Sequence, residues 1–172
     1  VAPGHRFIRR QPARTALSIA LSAADHPDLR DAGRAGAAER GLLIQSAAYT
    51  VARRGDRDGM RELTDEAAGI AHQLGGATLL RDHGGGFSPL TVQLHRISAE
   101  NYAGDPLAAL AAARSVSLKA LPSVERRSRA LSDIAVTYDR LGRSDCIRTL
   151  LAAEHCAPQE THTRPATKSL SR

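Results

Sequence analysis

The string His83-Gly84-Gly85-Gly86-Phe87 comes nearest to catalytic chemistry in this chain. A glycine run of this kind can present successive backbone N–H groups to a developing oxyanion. The same chemistry needs a nucleophilic serine on a strand-to-helix elbow, written G-x-S-x-G. The nearest string, Gly86-Phe87-Ser88-Pro89-Leu90, lacks the closing glycine, and Pro89 removes a backbone donor. No sheet is predicted to hold such an elbow, so the segment reads as a flexible loop between helices. Cys146, His155 and Cys156 could suggest a metal, but zinc sites favour paired ligands at C-x₂₋₄-C spacing, which is absent. Cys146 falls in phase with Ile147 and Leu150 and reads as a small core residue. His155 falls at a helix C-terminus, where the dipole favours it. His95, between Leu94 and Ile97, reads as a hydrogen-bonded packing residue. Neither phosphate-binding glycine motif is present. The expectation is a protein without catalytic residues, metal or cofactor.

The elements that carry these residues are helical by composition. Aromatic residues make up 3% of the chain and there is no tryptophan, which leaves a core of Leu, Ile, Val and Ala. A helix is predicted from about residue 12 to 24, closed by Asp25-His26-Pro27, with a loop over 28–37. Leu43, Ile44, Ala47, Ala48 and Val51 form one apolar stripe. Met60, Leu63, Ala67, Ile70, Ala71 and Leu74 form the next, ended by Gly75-Gly76. A second pair follows the glycine-rich interruption. Val92, Leu94, Ile97, Ala99 and Tyr102 mark its first helix, and Leu107, Leu110, Ala111 and Leu118 its second. The third pair carries Leu131, Ile134, Ala135, Tyr138 and Leu141, then Cys146, Ile147, Leu150 and Leu151. Turns recur at Gly55, Gly104 and Gly142. Serial hairpins of this kind predict a solenoid in which each hairpin is buried against its neighbours.

The net charge of +6 lies at the ends. Of 24 basic and 18 acidic residues, 1–14 hold four and none, and 157–172 hold three and one, which leaves 17 of each for 15–156. A folded nucleic-acid reader carries its basic patch on the structured surface, so only nonspecific attraction is expected here. Residues 1–11 are predicted to be a basic disordered tail, 12–158 the helical array, and 159–172 a polar disordered tail. Two cysteines are too few for a disulfide framework, and no apolar run reaches membrane-span length. Arg9-Arg10 and the apolar stretch 16–24 read as an amphipathic helix rather than an export signal. A cytoplasmic, non-membrane location is expected.

The third hairpin resembles a tetratricopeptide repeat (TPR): Leu131, Ile134, Ala135 and Tyr138 match its first helix, Gly142 its turn, Ala153 and Pro158 its end. A narrower resemblance runs through FSPLTVQLHRIS (Phe87–Ser98), AGDPLAALAAARSV (Ala103–Val116), LLAAEHCAP (Leu150–Pro158) and Arg164-Pro165. These resemble the TPR-like C-terminal region of actinobacterial helix-turn-helix (XRE-type) transcriptional regulators. The resemblance implies an all-α, TPR-like solenoid of about seven helices. It also implies a non-catalytic sensing region that takes a peptide, protein or small-molecule effector in a concave groove, with a homodimer allowed. DNA would be reached only through a helix-turn-helix domain, for which residues 1–40 are too short and irregular. The alternative is a stand-alone protein–protein adaptor without DNA function. In TPR arrays the first helix of each hairpin lines the groove, which assigns ligand contact to Gln45, Tyr49, Arg53, Arg96, Glu100, Arg129, Asp133 and Arg140. The competing reading of these residues is a solvated face with i,i+4 pairs Arg96–Glu100 and Arg129–Asp133.

Overall fold

Aliphatic residues at helical spacing fold as helices here, and the turn residues end them where capping chemistry requires. The computed structural model describes residues 10–80 and 83–163. Among these the chain is mostly helical, with nine α-helices rather than about seven, and a two-stranded antiparallel ribbon that the sequence reading missed. The chain divides into two compact units, Val1–Val92 and Gln93–Arg172.

In the first unit, α1 (Arg10–Ala24) is followed by α2 (Pro27–Asp31) and α3 (Gly33–Ala52). His26 caps α2, its Nδ1 accepting Asp28 N–H at 3.3 Å, and Pro27 occupies the first turn. The loop expected over 28–37 is therefore helix. Its glycines mislead because Gly36 is needed for close approach: a Cβ there would collide with the Leu29 carbonyl. α4 (Arg57–Leu74) begins at Asp56, whose Oδ1 accepts Gly59 N–H at 3.0 Å. It ends at Gly75, in the left-handed conformation at φ +65°.

The glycine run expected to be a flexible loop instead belongs to a ribbon, β1 (Thr78–Leu80) paired with β2 (His83–Phe87), Thr78 opposite Phe87 and Leu80 opposite His83. Phe87 anchors this ribbon. Its ring is fully buried over Gly41 of α3, where any Cβ would overlap it. Ala24, Ala38, Ile44, Ala67, Ile70, Ala71 and Val92 complete that core with Phe87. Ser88 leads from β2 into α5 (Pro89–Tyr102). Ser88 N–H donates to Thr91 Oγ1 at 2.8 Å and Thr91 N–H to Ser88 Oγ at 3.2 Å, a reciprocal cap.

The second unit takes up most of α5, then α6 (Pro106–Arg114), a 3₁₀ turn at Leu118–Ala120, α7 (Val124–Arg140), α8 (Asp145–Cys156) and α9 (Pro158–Thr163). Asp105 caps α6 through Ala108 N–H at 3.0 Å, and Ser123 caps α7 through Arg126 N–H at 3.2 Å. The face of α6 differs from expectation. It buries Ala109, Leu110 and Ala112, while Leu107 and Ala111 are exposed. The helix stops at Arg114, so Leu118 falls in the 3₁₀ turn instead of extending the stripe. Tyr102 is exposed, and Cys146 is half-buried rather than fully in the core. α9 occupies the start of the stretch 159–172 expected to be disordered. The tail expected over 1–11 lies mostly, and residues 164–172 wholly, outside the described residues. No described helix is long and apolar enough to cross a membrane.

Candidate functional site

Polar side chains join α5 to α7 within the second unit. Ser98 and Asn101 of α5 and Thr137 of α7 are all buried. Asn101 Nδ2 donates to the Asp133 carbonyl at 3.1 Å and to Thr137 Oγ1 at 2.9 Å, and Thr137 Oγ1 donates to the Asp133 carbonyl at 2.9 Å. Buried polar groups cost stability unless paired. Here the pairing fixes the register of one helix on the other.

Beside this network is a cavity of about 50 Å³ lined by Ser98, Asn101, Tyr102, Asp133, Val136 and Arg140. Ser98 Oγ donates to Asp133 Oδ2, which holds the carboxylate at the wall. Arg140 Nη1 donates to the Asn101 carbonyl, which ties the guanidinium across from it. One carboxylate, one guanidinium, a hydroxyl and an amide therefore converge, with the exposed Tyr102 ring at the side. The volume is far below the roughly 300 Å³ at which pockets enclose a whole drug-sized ligand. It suits one polar functional group of a larger partner.

Of the residues assigned from sequence, Asp133 and Arg140 meet at this cavity. Gln45, Tyr49 and Arg53 belong to the first unit, and the other five to the second. Gln45 is 3% exposed and Glu100 4%, so neither presents a solvated side chain. Neither atom of the Gln45 amide has a hydrogen-bond partner among the described residues. Arg53 is exposed at the end of α3, and Tyr49 and Arg96 are half-buried. Arg129 makes a forked bond to Glu160 of α9, Nε to Oε2 at 3.0 Å and Nη2 to Oε1 at 2.9 Å. Hydrogen bonding to Glu160 raises its pKa further. Arg129 is thus gripped by a helix outside the predicted array, while the Asp133 carboxylate acts on it electrostatically.

Ser98, Asn101, Tyr102 and Val136 complete the cavity; of these only Tyr102 is singled out in the sequence reading, as an apolar stripe residue. A signal was available, since Ser98 and Asn101 are polar residues at i,i+3 on the face that also buries Ile97.

His95 is pulled down from 6.5 to about 4, by burial first and then by the Arg126 guanidinium, so its ring is neutral near pH 7. Ser88, the serine of the catalytic lookalike, does sit between a strand and a helix, against expectation. Its hydroxyl is engaged in the Thr91 cap. Cys146 and Cys156 are free thiols, and no group of three or more metal-ligating side chains occurs among the described residues. Comparison with family models, with curated proteins and with solved structures returns no match.

Proposed function

We propose that this chain is a non-catalytic, ligand- or partner-binding module of TPR-like hairpins, acting as the sensing region of a transcriptional regulator. The observation that carries the binding part is the α5–α7 cavity, where Asp133 and Arg140 are held in place by Ser98 and the Asn101 carbonyl. Groups fixed before a ligand arrives lose little conformational freedom on binding it, which favours recognition. The link to transcription regulation is supported only by the resemblance of the Phe87–Ser98, Ala103–Val116 and Leu150–Pro158 stretches.

In this reading a side chain or terminus of an effector peptide, or one end of a small polar molecule, enters the cavity. Binding favours one arrangement of α5 and α7 over another, and that preference is the signal. Titration calorimetry against peptides of varied end groups checks it. A binder should lose about tenfold or more in affinity with Arg140→Gln or Asp133→Asn, the effect of one charge-assisted hydrogen bond. Equal affinity of wild type and both variants for every binder found would remove the cavity from the function.

The stand-alone adaptor has one observation in its favour. Ile147 and Leu151, one turn apart on α8, are 65% and 54% exposed, an apolar pair suited to a protein contact.

A further inference from the structure

α9 is a six-residue helix, and Glu160, Thr161 and His162 tie it to α7 and α8 by polar contacts. Isolated helices shorter than about 12–15 residues are marginal in water, so its contacts must hold it. The Glu160 carboxylate takes the forked bond from Arg129. Thr161 Oγ1, buried, lies 3.1 Å from Ser128 Oγ, whose hydroxyl also reaches the Ala153 carbonyl at 3.0 Å. His162 Nε2 lies 2.9 Å from Glu154 Oε1 on α8. Pro158 and Gln159 are exposed, and no large apolar side chain anchors the helix. Segments with few buried apolar contacts open at low free-energy cost, ahead of the rest of a domain.

The fork on Arg129 is also the geometry in which a guanidinium grips a carboxylate ligand. We infer that α9 is a detachable clasp whose Glu160 stands in for the carboxylate of an acidic partner segment, so that partner and clasp compete for Arg129. The partner class follows from what α9 presents: a carboxylate followed directly by a small hydroxyl residue, on one helical turn. Release of α9 takes the Glu160 carboxylate off the already exposed Arg129 fork and uncovers the Ser128 hydroxyl beside it, which such a segment would re-cover. The inference shares with the cavity reading only the premise that the chain binds a partner, and it uses a different part of α7.

The test uses the full chain as wild type, Glu160→Gln, and the charge exchange Arg129→Glu with Glu160→Arg. Hydrogen exchange should show the α9 amides opening about tenfold faster than those of α7 in the wild type. Glu160→Gln should speed them about fivefold more, with α7 and α8 unchanged, and the charge exchange should restore the slower rate. The probe ligand is a capped peptide of the chain's own segment 157–163. It should bind Glu160→Gln about fivefold tighter than wild type, and Arg129→Gln introduced into that variant should abolish binding. Exchange of α9 in step with α7 in every variant would make it a fixed part of the hairpin and overturn the clasp. Equal peptide affinity for wild type and Glu160→Gln, or no binding to the latter, would overturn the competition. Binding lost with Arg140→Gln but not with Arg129→Gln would overturn the clasp while leaving the cavity standing.

Discussion

His95 and Gln45 show how far a single buried polar group can be read. The His95 ring is protonated with difficulty when folded, at about 4, and at about 6.5 when unfolded. Its contribution to stability is complete above pH 6.5 and is lost as pH falls toward 4, because only the unfolded chain takes up the proton in that window. The loss is of the order of 2–3 kcal/mol. Urea unfolding at pH 7.5 and pH 4.5 should show wild type losing that much more stability than His95→Gln; parallel losses would mean that burial of the ring is not what holds it neutral. Gln45 has a buried amide whose two polar atoms find no partner among the described residues. Gln45→Met keeps the shape and removes that cost, so it should stabilise the chain by about 1–2 kcal/mol. A lower melting temperature in Gln45→Met would show that the amide has a partner after all, such as a buried water.

The ribbon is the element the sequence reading missed, and Phe87 is the reason it forms. Three consecutive glycines suggest mobility when read alone. Next to one of only two phenylalanines, they let a strand deliver a large ring onto Gly41. Gly41→Ala should displace that ring at a cost of about 1–3 kcal/mol, and Phe87→Ala should cost about 3–5 kcal/mol. Thermal unfolding checks both, and a Gly41→Ala protein as stable as wild type would mean the ring has room to move. The caps were more legible. Ser123 follows Pro122 and precedes the third pair of stripes, the place and residue type of an N-cap, and its hydroxyl accepts Arg126 N–H. Ser123→Ala should cost about 1 kcal/mol in the same assay.

For the chain as a whole, charge is the property that sequence alone describes best. The excess of positive charge lies at the two ends, and 15–156 is balanced. Attraction to polyanions should therefore depend on the arginines at 6, 9, 10 and 14. Changing all four to glutamine should bring elution from heparin to markedly lower salt. Unchanged elution would place the basic surface within the folded units instead. The two units differ in how their cores are built, Phe87 filling the first and aliphatic residues with a polar network filling the second.

Composition and period were enough to determine a helical chain, the stripes of α3, α4 and α7, and the turns at Gly55, Gly75, Gly104 and Gly142, because these depend on neighbours within a few residues. The buried faces of α6 and α8 differ from the expected stripes. Asp133 and Arg140 came from the resemblance to TPR arrays, not from local pattern; the structure lines one cavity with both. Tertiary structure alone decided the rest. Gly36 and Gly41 are close-approach sites rather than breaks, since only the partner at each, the Leu29 carbonyl or the Phe87 ring, reveals the need for a missing Cβ. Gln45 and Glu100 are buried although polar. Arg129 is gripped by a helix 31 residues away. Local patterns carry no information about such distant partners, and it is those partners that settle which polar residues remain open to a ligand.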